Sequence, residues 1–399
     1  MKRRNFLKQS VFASAGTMLA PAFLKPFESM AKNNLTGYKN LLVIQFSGGN
    51  DGLNCVAPFG NDVYYKLRKT IAIPQSDVIK LNDMQGLNPA LNALREIYDQ
   101  GWMTIINDVG YPNPNRSHFR SMDIWQTACD SNQFLSTGWI GRYLDSNCSS
   151  CQHPYTAIEV DDTLSLAMKG MTKKGIALRD PNQLFSNTNT PFFKKIISQD
   201  KKYLDEDNLG YLYKTVTETS SSASYILDKS KTYNNSFVYP NTGFANQLKT
   251  VAKFILSGLD TRVYYISLSG FDTHVNQVSQ QKQLFTQYAE GMNAFLKDLK
   301  KNNRLDDTLV ITFSEFGRRV AQNASNGTDH GTANIMFVYG GKLNKQGIYN
   351  DAPNLNDLDA GDLKYKIDFR EVYATILDKW LEIENAKVLP KSFKTLDFI

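Results

Sequence analysis

Leu41-Leu42-Val43-Ile44-Gln45-Phe46 is a short, almost continuous apolar run, and it stops at Ser47-Gly48-Gly49-Asn50-Asp51-Gly52, a segment rich in turn residues. An apolar run of that length without polar alternation reads as a strand covered on both faces. Trp102–Asn107, Arg262–Leu268, Thr308–Phe313 and Ile335–Tyr339 share the pattern. Helical stretches fall between them at 89–100, 117–127, 245–257, 281–300 and 369–381, the second with Ser117 as its cap. Strands alternating with helices predict an α/β sheet with helices on both faces. Residues 155–243 are polar and carry no long apolar strand. They read as an insertion or cap, with helices near 192–197 and 209–228.

The chain has 399 residues, with 45 Lys+Arg against 39 Asp+Glu, a formal +6. Five basic residues and one acid lie in the first 31, so the remaining 368 carry 40 − 38 = +2. That near-balance excludes a dedicated electrostatic nucleic-acid binder. A hydrophobic content of 42% excludes a disordered chain, and four cysteines exclude a disulfide scaffold. No run of 18 apolar residues is present, so no integral membrane helix is expected. Arg3-Arg4-Asn5-Phe6-Leu7-Lys8, then a weakly apolar stretch to Leu24 and Ser29-Met30-Ala31, reads as a twin-arginine signal peptide cleaved after Ala31. The mature chain, 32–399, is then expected as a single exported domain, periplasmic, with the twin-arginine translocon as its partner during export. Cys148 and Cys151 are a disulfide or two free thiols. Cys55 and Cys129 suit buried apolar positions.

The chemistry concentrates beside the strand ends. His118, His274 and His330 are three of only four histidines, and Asp51, Asp272, Glu315 and Asp329 stand in matching places. In an open α/β sheet the carboxyl ends of the strands face one crevice, where such side chains can meet. Taken singly, these segments also read as a plain turn, a capping aspartate, or a strand-end acid paired with Arg318 or Arg319. Taken together, carboxylates and imidazoles at separate strand ends form the oxygen and nitrogen donor set that binds divalent metals. Ser47-Gly48-Gly49-Asn50-Asp51-Gly52 lacks both glycine patterns of phosphate loops, so Asp51 reads as a ligand.

These segments, in this order, resemble the alkaline phosphatase superfamily, and more closely an exported bacterial family of unknown function described as sulfatase-like. The closer likeness rests on FSGGNDGLN (46–54), VGYPNPNRSHFRSMDIWQT (109–127), GWIGRYLD (138–145), SLSGFDTH (267–274), TFSEFGRRVAQN (312–323), GTDHGTANIMFVYGG (327–341) and DFREVYATILDKW (368–380). The resemblance implies an alkaline-phosphatase-like α/β/α sandwich with a central mostly parallel sheet and a polar helical insertion. It implies a metal-dependent hydrolase of phosphate or sulfate esters, acting on a small-molecule or glycan ester. Asp272, His274 and His330 would hold one ion, zinc by their donor set. Asp51 and Glu315 would hold a second, for which oxygen donors suit calcium or manganese. Ser117 or His118 would act as nucleophile, with His118 also open as general acid or ligand. Arg116, Arg120 and Asn50 would bind substrate. The superfamily's Ser-Asp-His-Gly reads Ser-Glu-Phe-Gly here, so Phe316 stands where a histidine ligand is expected. The sulfatase nucleophile signature is absent. The alternative function is a non-catalytic exported protein that binds a glycan or an envelope partner.

Overall fold

The computed structural model describes residues 38–147, 153–198, 208–234 and 236–399. The expected signal peptide and the Cys148/Cys151 pair lie outside the described residues. Residues 39–399 form one compact unit. No helix among the described residues is long and apolar enough to cross a membrane.

The unit is built on a nine-stranded sheet. Its strands, in chain order, are β1 (Asn40–Ser47), β2 (Met103–Gly110), β3 (Ala157–Glu159), β4 (Ile176–Ala177), β5 (Val263–Ser269), β6 (Thr308–Ser314), β7 (Asn334–Tyr339), β8 (Gly347–Ile348) and β9 (Ile367–Asp368). The order across the sheet is β8-β2-β7-β6-β1-β5-β3-β4, with β9 also paired to β2. All pairings are parallel except those of β7, which runs antiparallel to both β2 and β6.

β1 is central because nearly all of it can be buried. Leu42, Ile44 and Phe46 point into one apolar core, and Leu41 and Val43 into the other. The first core is covered by α3 (Gly243–Leu256) and α4 (Gln277–Lys301), through Phe244, Leu248, Phe285 and Met292. The second is covered by α1 (His118–Thr127) and α5 (Phe369–Thr375), through Ile124, Trp125, Phe369 and Tyr373. Trp125 stacks on Phe313 and Phe369, with ring centroids 4.9 and 4.2 Å apart. Helices on both faces explain why the strands read as apolar runs rather than alternating ones.

The polar segment 155–243 is not wholly an insertion. It contributes β3 and β4 to the sheet beside β5 before forming its helices, the longest being α2 (Asn208–Ser230). Cys55 and Cys129 are free and buried, and burial pushes the Cys55 thiol well up.

The reversal of β7 positions the site. The carboxyl ends of β1, β2, β5 and β6 lie at one edge of the sheet. Because β7 runs the other way, its amino end opens at that same edge. Residues after four strands and before the fifth are thereby gathered in one place.

Candidate metal centre

Each segment at this edge is shaped by local backbone needs. After β1, Gly48 and Gly49 adopt φ of 120° and 73°, which strain a side-chain-bearing residue. A Cβ on Gly48 would lie 2.4 Å from the Asp272 nitrogen, and one on Gly49 would lie 2.3 Å from the Phe316 ring. The tight passage of β1's end thus lets the loops after β5 and β6 close in. After β2, the Pro- and Asn-rich loop leads to Ser117, the N-cap of α1, so His118 sits in the first turn.

Three imidazoles and a carboxylate converge there. His118, Asp272 and His330 offer ligand atoms within 4.8 Å of one another. His274 lies beside this group, its Nε2 3.0 Å from both Asp272 Oδ1 and His330 Nε2. His330 Nε2 is 3.2 Å from the same Oδ1, and His118 Nε2 is 3.4 Å from Asp272 Oδ2.

The other ring nitrogens are held by acceptors. His118 Nδ1–H donates to Glu315 Oε1 at 2.9 Å, His330 Nδ1–H to the Arg116 carbonyl at 2.8 Å, and His274 Nδ1–H to Asp329 Oδ1 at 3.4 Å. A proton fixed on Nδ1 leaves the lone pair on Nε2, the arrangement found behind metal-ligating histidines. His118 Nε2 is buried and has no hydrogen-bond partner. Lone pairs facing one another and a carboxylate at these distances repel unless a proton or cation lies among them. Ligands at about 2.0–2.1 Å around a tetrahedral zinc are about 3.3 Å apart, so the donor set and its spacing fit a divalent ion.

Arg318 anchors the carboxylate. It is buried and donates from Nη2 to Asp272 Oδ1 at 2.9 Å and to the Phe271 carbonyl at 2.9 Å. Nε donates to the Gly49 carbonyl at 2.6 Å and Nη1 to the Thr328 carbonyl at 2.9 Å. Burial opposes ionisation of Asp272, but the hydrogen bond and charge of Arg318 lead the effects that outweigh it and hold the carboxyl down at about 2. Burial lowers the His330 imidazole, which favours the neutral ligand form, against its hydrogen bonds to Asp272 and Arg116. The Glu315 hydrogen bond raises His118, with burial opposing it. Phe316 packs between these rings, its centroid 4.8 Å from His118 and 4.7 Å from His330.

The expected ligand set therefore changes. Asp272, His274 and His330 lie together at this edge, and His118, expected as nucleophile, acid or ligand, turns its Nε2 toward the same carboxylate. Glu315 does not pair with Asp51 in a second site: it accepts from His118 and from the Gly48 N–H at 2.8 Å. Asp51 is fully buried, and its Oδ2 accepts from Arg68 at 2.6 Å and Gln277 at 2.5 Å, while Oδ1 has no hydrogen-bond partner. The Arg68 guanidinium supplies the positive charge there that a metal was expected to bring. Arg120 faces away from the cluster, donating to the carbonyls of Ser131 and Gln133 and stacking 3.9 Å from the Phe134 ring. Asn50 is buried, its carbonyl accepting from Asn334. Ser117 is exposed, and its side chain makes no capping hydrogen bond.

Residues 101–389 match a family described as "Protein of unknown function (DUF1501)". The chain belongs to this family. No curated protein matches it by sequence. Similar solved structures include the soluble domain of lipooligosaccharide phosphoethanolamine transferase A from Neisseria meningitidis, at 13% identity over 90% of this chain and 92% of that one, TM-score 0.39. Another is the lipoteichoic acid synthase LtaP from Listeria monocytogenes, at 10% identity over 78% and 67%, TM-score 0.34. A third is a protein in the alkaline phosphatase superfamily from Vibrio parahaemolyticus, at 12% identity over 79% and 63%, TM-score 0.35.

Within this DUF1501 chain, sequence reasoning missed Asp362, and it offered Arg318 as a partner for the strand-end acid Glu315 rather than for Asp272. Arg318 follows Glu315 by three residues, and its neighbours gave no sign that its partners lie after β1 and β5. Asp362 lies far from every strand end that drew attention, yet it pairs with Arg116 and Arg319.

Proposed function

We propose that this chain is an exported, metal-dependent hydrolase of phosphate or sulfate esters, with one ion held by His118, Asp272, His274 and His330. The observation that supports it is the convergence of three Nε2 lone pairs on one carboxylate, each imidazole oriented from behind. A bound divalent ion would polarise an ester oxygen and make water a stronger acid. The imidazole-rich set favours zinc.

The remaining roles belong to the chain. Glu315, Asp329 and the Arg116 carbonyl fix the imidazole tautomers. Arg318 fixes the Asp272 carboxylate. The Ser117 hydroxyl is the nucleophile in this reading: it is exposed, adjacent to His118, and at the positive end of a ten-residue helix. Export rests on the twin-arginine pattern of the leader.

Elemental mass spectrometry of tag-free protein, purified without chelator, tests the centre. About one equivalent of metal in the wild type, absent from His330→Ala, is expected for a single four-ligand site. Turnover of phosphate mono- and diesters and sulfate esters should then be lost in His330→Ala and strongly reduced in Ser117→Ala. If the wild type holds metal but hydrolyses no ester faster than His330→Ala, the protein is a binding module rather than a hydrolase. If it holds no metal even after soaking in zinc, manganese and calcium, the centre itself is disproved. N-terminal sequencing of exported protein should begin at Lys32.

A further inference from the structure

Asp362 is fully buried, and two partly exposed arginines grip it. Arg116 donates through Nη2 to Oδ2, and Arg319 through Nε to Oδ1 at 3.2 Å. The carboxylate has no exposure, whereas the two guanidinium side chains are 45% and 38% exposed. The strands Leu358–Asp359 and Asp362–Leu363 form a hairpin that presents it. Its two turn residues, Ala360 and Gly361, both have positive φ, 50° and 91°, as the tightest hairpin turns require. The turn also aims the Ala360 carbonyl at Arg319 Nη2, 2.6 Å away.

Both arginines are tied to the metal cluster through their main chains. The Arg116 carbonyl accepts from His330 Nδ1, and the Arg319 N–H donates to the Asp329 carbonyl at 3.0 Å. Two arginines, from different segments of the chain, meet this one carboxylate. Within the triad one carboxylate faces two guanidiniums, so the triad itself is net positive, with the Asp329 carboxylate also acting on Arg319. A guanidinium has five donors, so most of those on Arg116 remain for an anion. Because Asp362 has already fixed the forks, binding an oxyanion freezes little further side-chain freedom.

We propose that Arg116 and Arg319, mounted on Asp362, form a subsite for a second anionic group of the substrate, a carboxylate, sulfate or phosphate beyond the ester held at the histidine cluster. That this anion belongs to a substrate rests on the ester-hydrolase reading; that the subsite binds oxyanions does not.

Two measurements separate the questions. The first compares phenyl phosphate with 4-carboxyphenyl phosphate, on zinc-loaded protein. Wild type should prefer the second through KM, and Arg319→Met should cut that preference about tenfold, the loss of one charge-assisted fork. Arg319→Lys should restore part of it. Equal loss on both esters, or no preference in the wild type, overturns the substrate assignment. The second titrates inorganic sulfate into chelator-treated full chain by calorimetry. Arg319→Met should bind about tenfold more weakly, by the same reasoning. Equal affinity in wild type and variant overturns the subsite, even if neither ester turns over.

Discussion

Glu315 and His118 stand 197 positions apart in the chain and meet at 2.9 Å, carboxylate to Nδ1–H. Glu315 is in turn held by the Gly48 N–H and by Ser314 Oγ at 3.2 Å. The acid at the end of β6 thus orients the His118 imidazole, and at the proposed centre it would position a ligand rather than serve as one. Glu315→Gln should preserve the fold and weaken metal binding about 10–100-fold, the usual effect of losing such a partner. Competition with a chromophoric chelator measures it. Affinity in the wild type should also fall as pH drops, because a proton raised on His118 by Glu315 competes with the ion for Nε2.

Gly49 supports the same rings from beneath. Its left-handed backbone and the adjacent Phe316 ring leave no room for a methyl group. Gly49→Ala should destabilise the protein by about 1–3 kcal/mol, through strain and overpacking. It should also lower metal occupancy, since Phe316 must shift against His118 and His330. Denaturant unfolding and metal analysis on the same preparation read both effects.

Arg68 and Asp51 form an ion pair in which both side chains are fully buried. Removing Arg68 leaves the Asp51 charge buried without a counter-charge, with the Gln277 amide as its remaining donor. Arg68→Met should therefore lose about 3–5 kcal/mol. Adding Asp51→Asn should recover a large part of that loss, since the neutral amide needs no counter-charge. A double-mutant cycle in urea measures the coupling.

Glu159, at the end of β3, gives the stability a pH dependence. Burial lifts its carboxyl from 4.5 to about 7, although the Ser165 N–H donates to it at 2.6 Å. The folded state therefore holds this proton more tightly than the unfolded chain. Its contribution is full below about pH 4.5 and falls as pH rises through 7, a difference on the order of 3 kcal/mol. Glu159→Gln should remove that decline, so the variant gains on wild type between pH 5 and 8. Urea midpoints across that range check it.

The long strands were legible because each is apolar on both faces. β3 and β4 were not, because three and two residues carry no period of their own and exist by pairing alongside β5. The strand-end residues were legible as a group, but their partners were not. Asp51 looks like a ligand until Arg68, 17 residues later, is seen to fold back onto it. Phe316 marks a missing imidazole, and His118, packed 4.8 Å from its ring, brings another from a different element. Such exchanges leave no trace in spacing, because they depend on which loops the sheet order brings together.

The reversed strand β7 has a consequence for synthesis. His118, Asp272 and His274 emerge from the ribosome well before His330, and His330 reaches the cluster only when β7 takes its place between β2 and β6. A nascent or truncated chain ending before that strand lacks the sheet register that presents His330. At the proposed centre, metal uptake would therefore be a late event in the life of the molecule, following synthesis at least through residue 339.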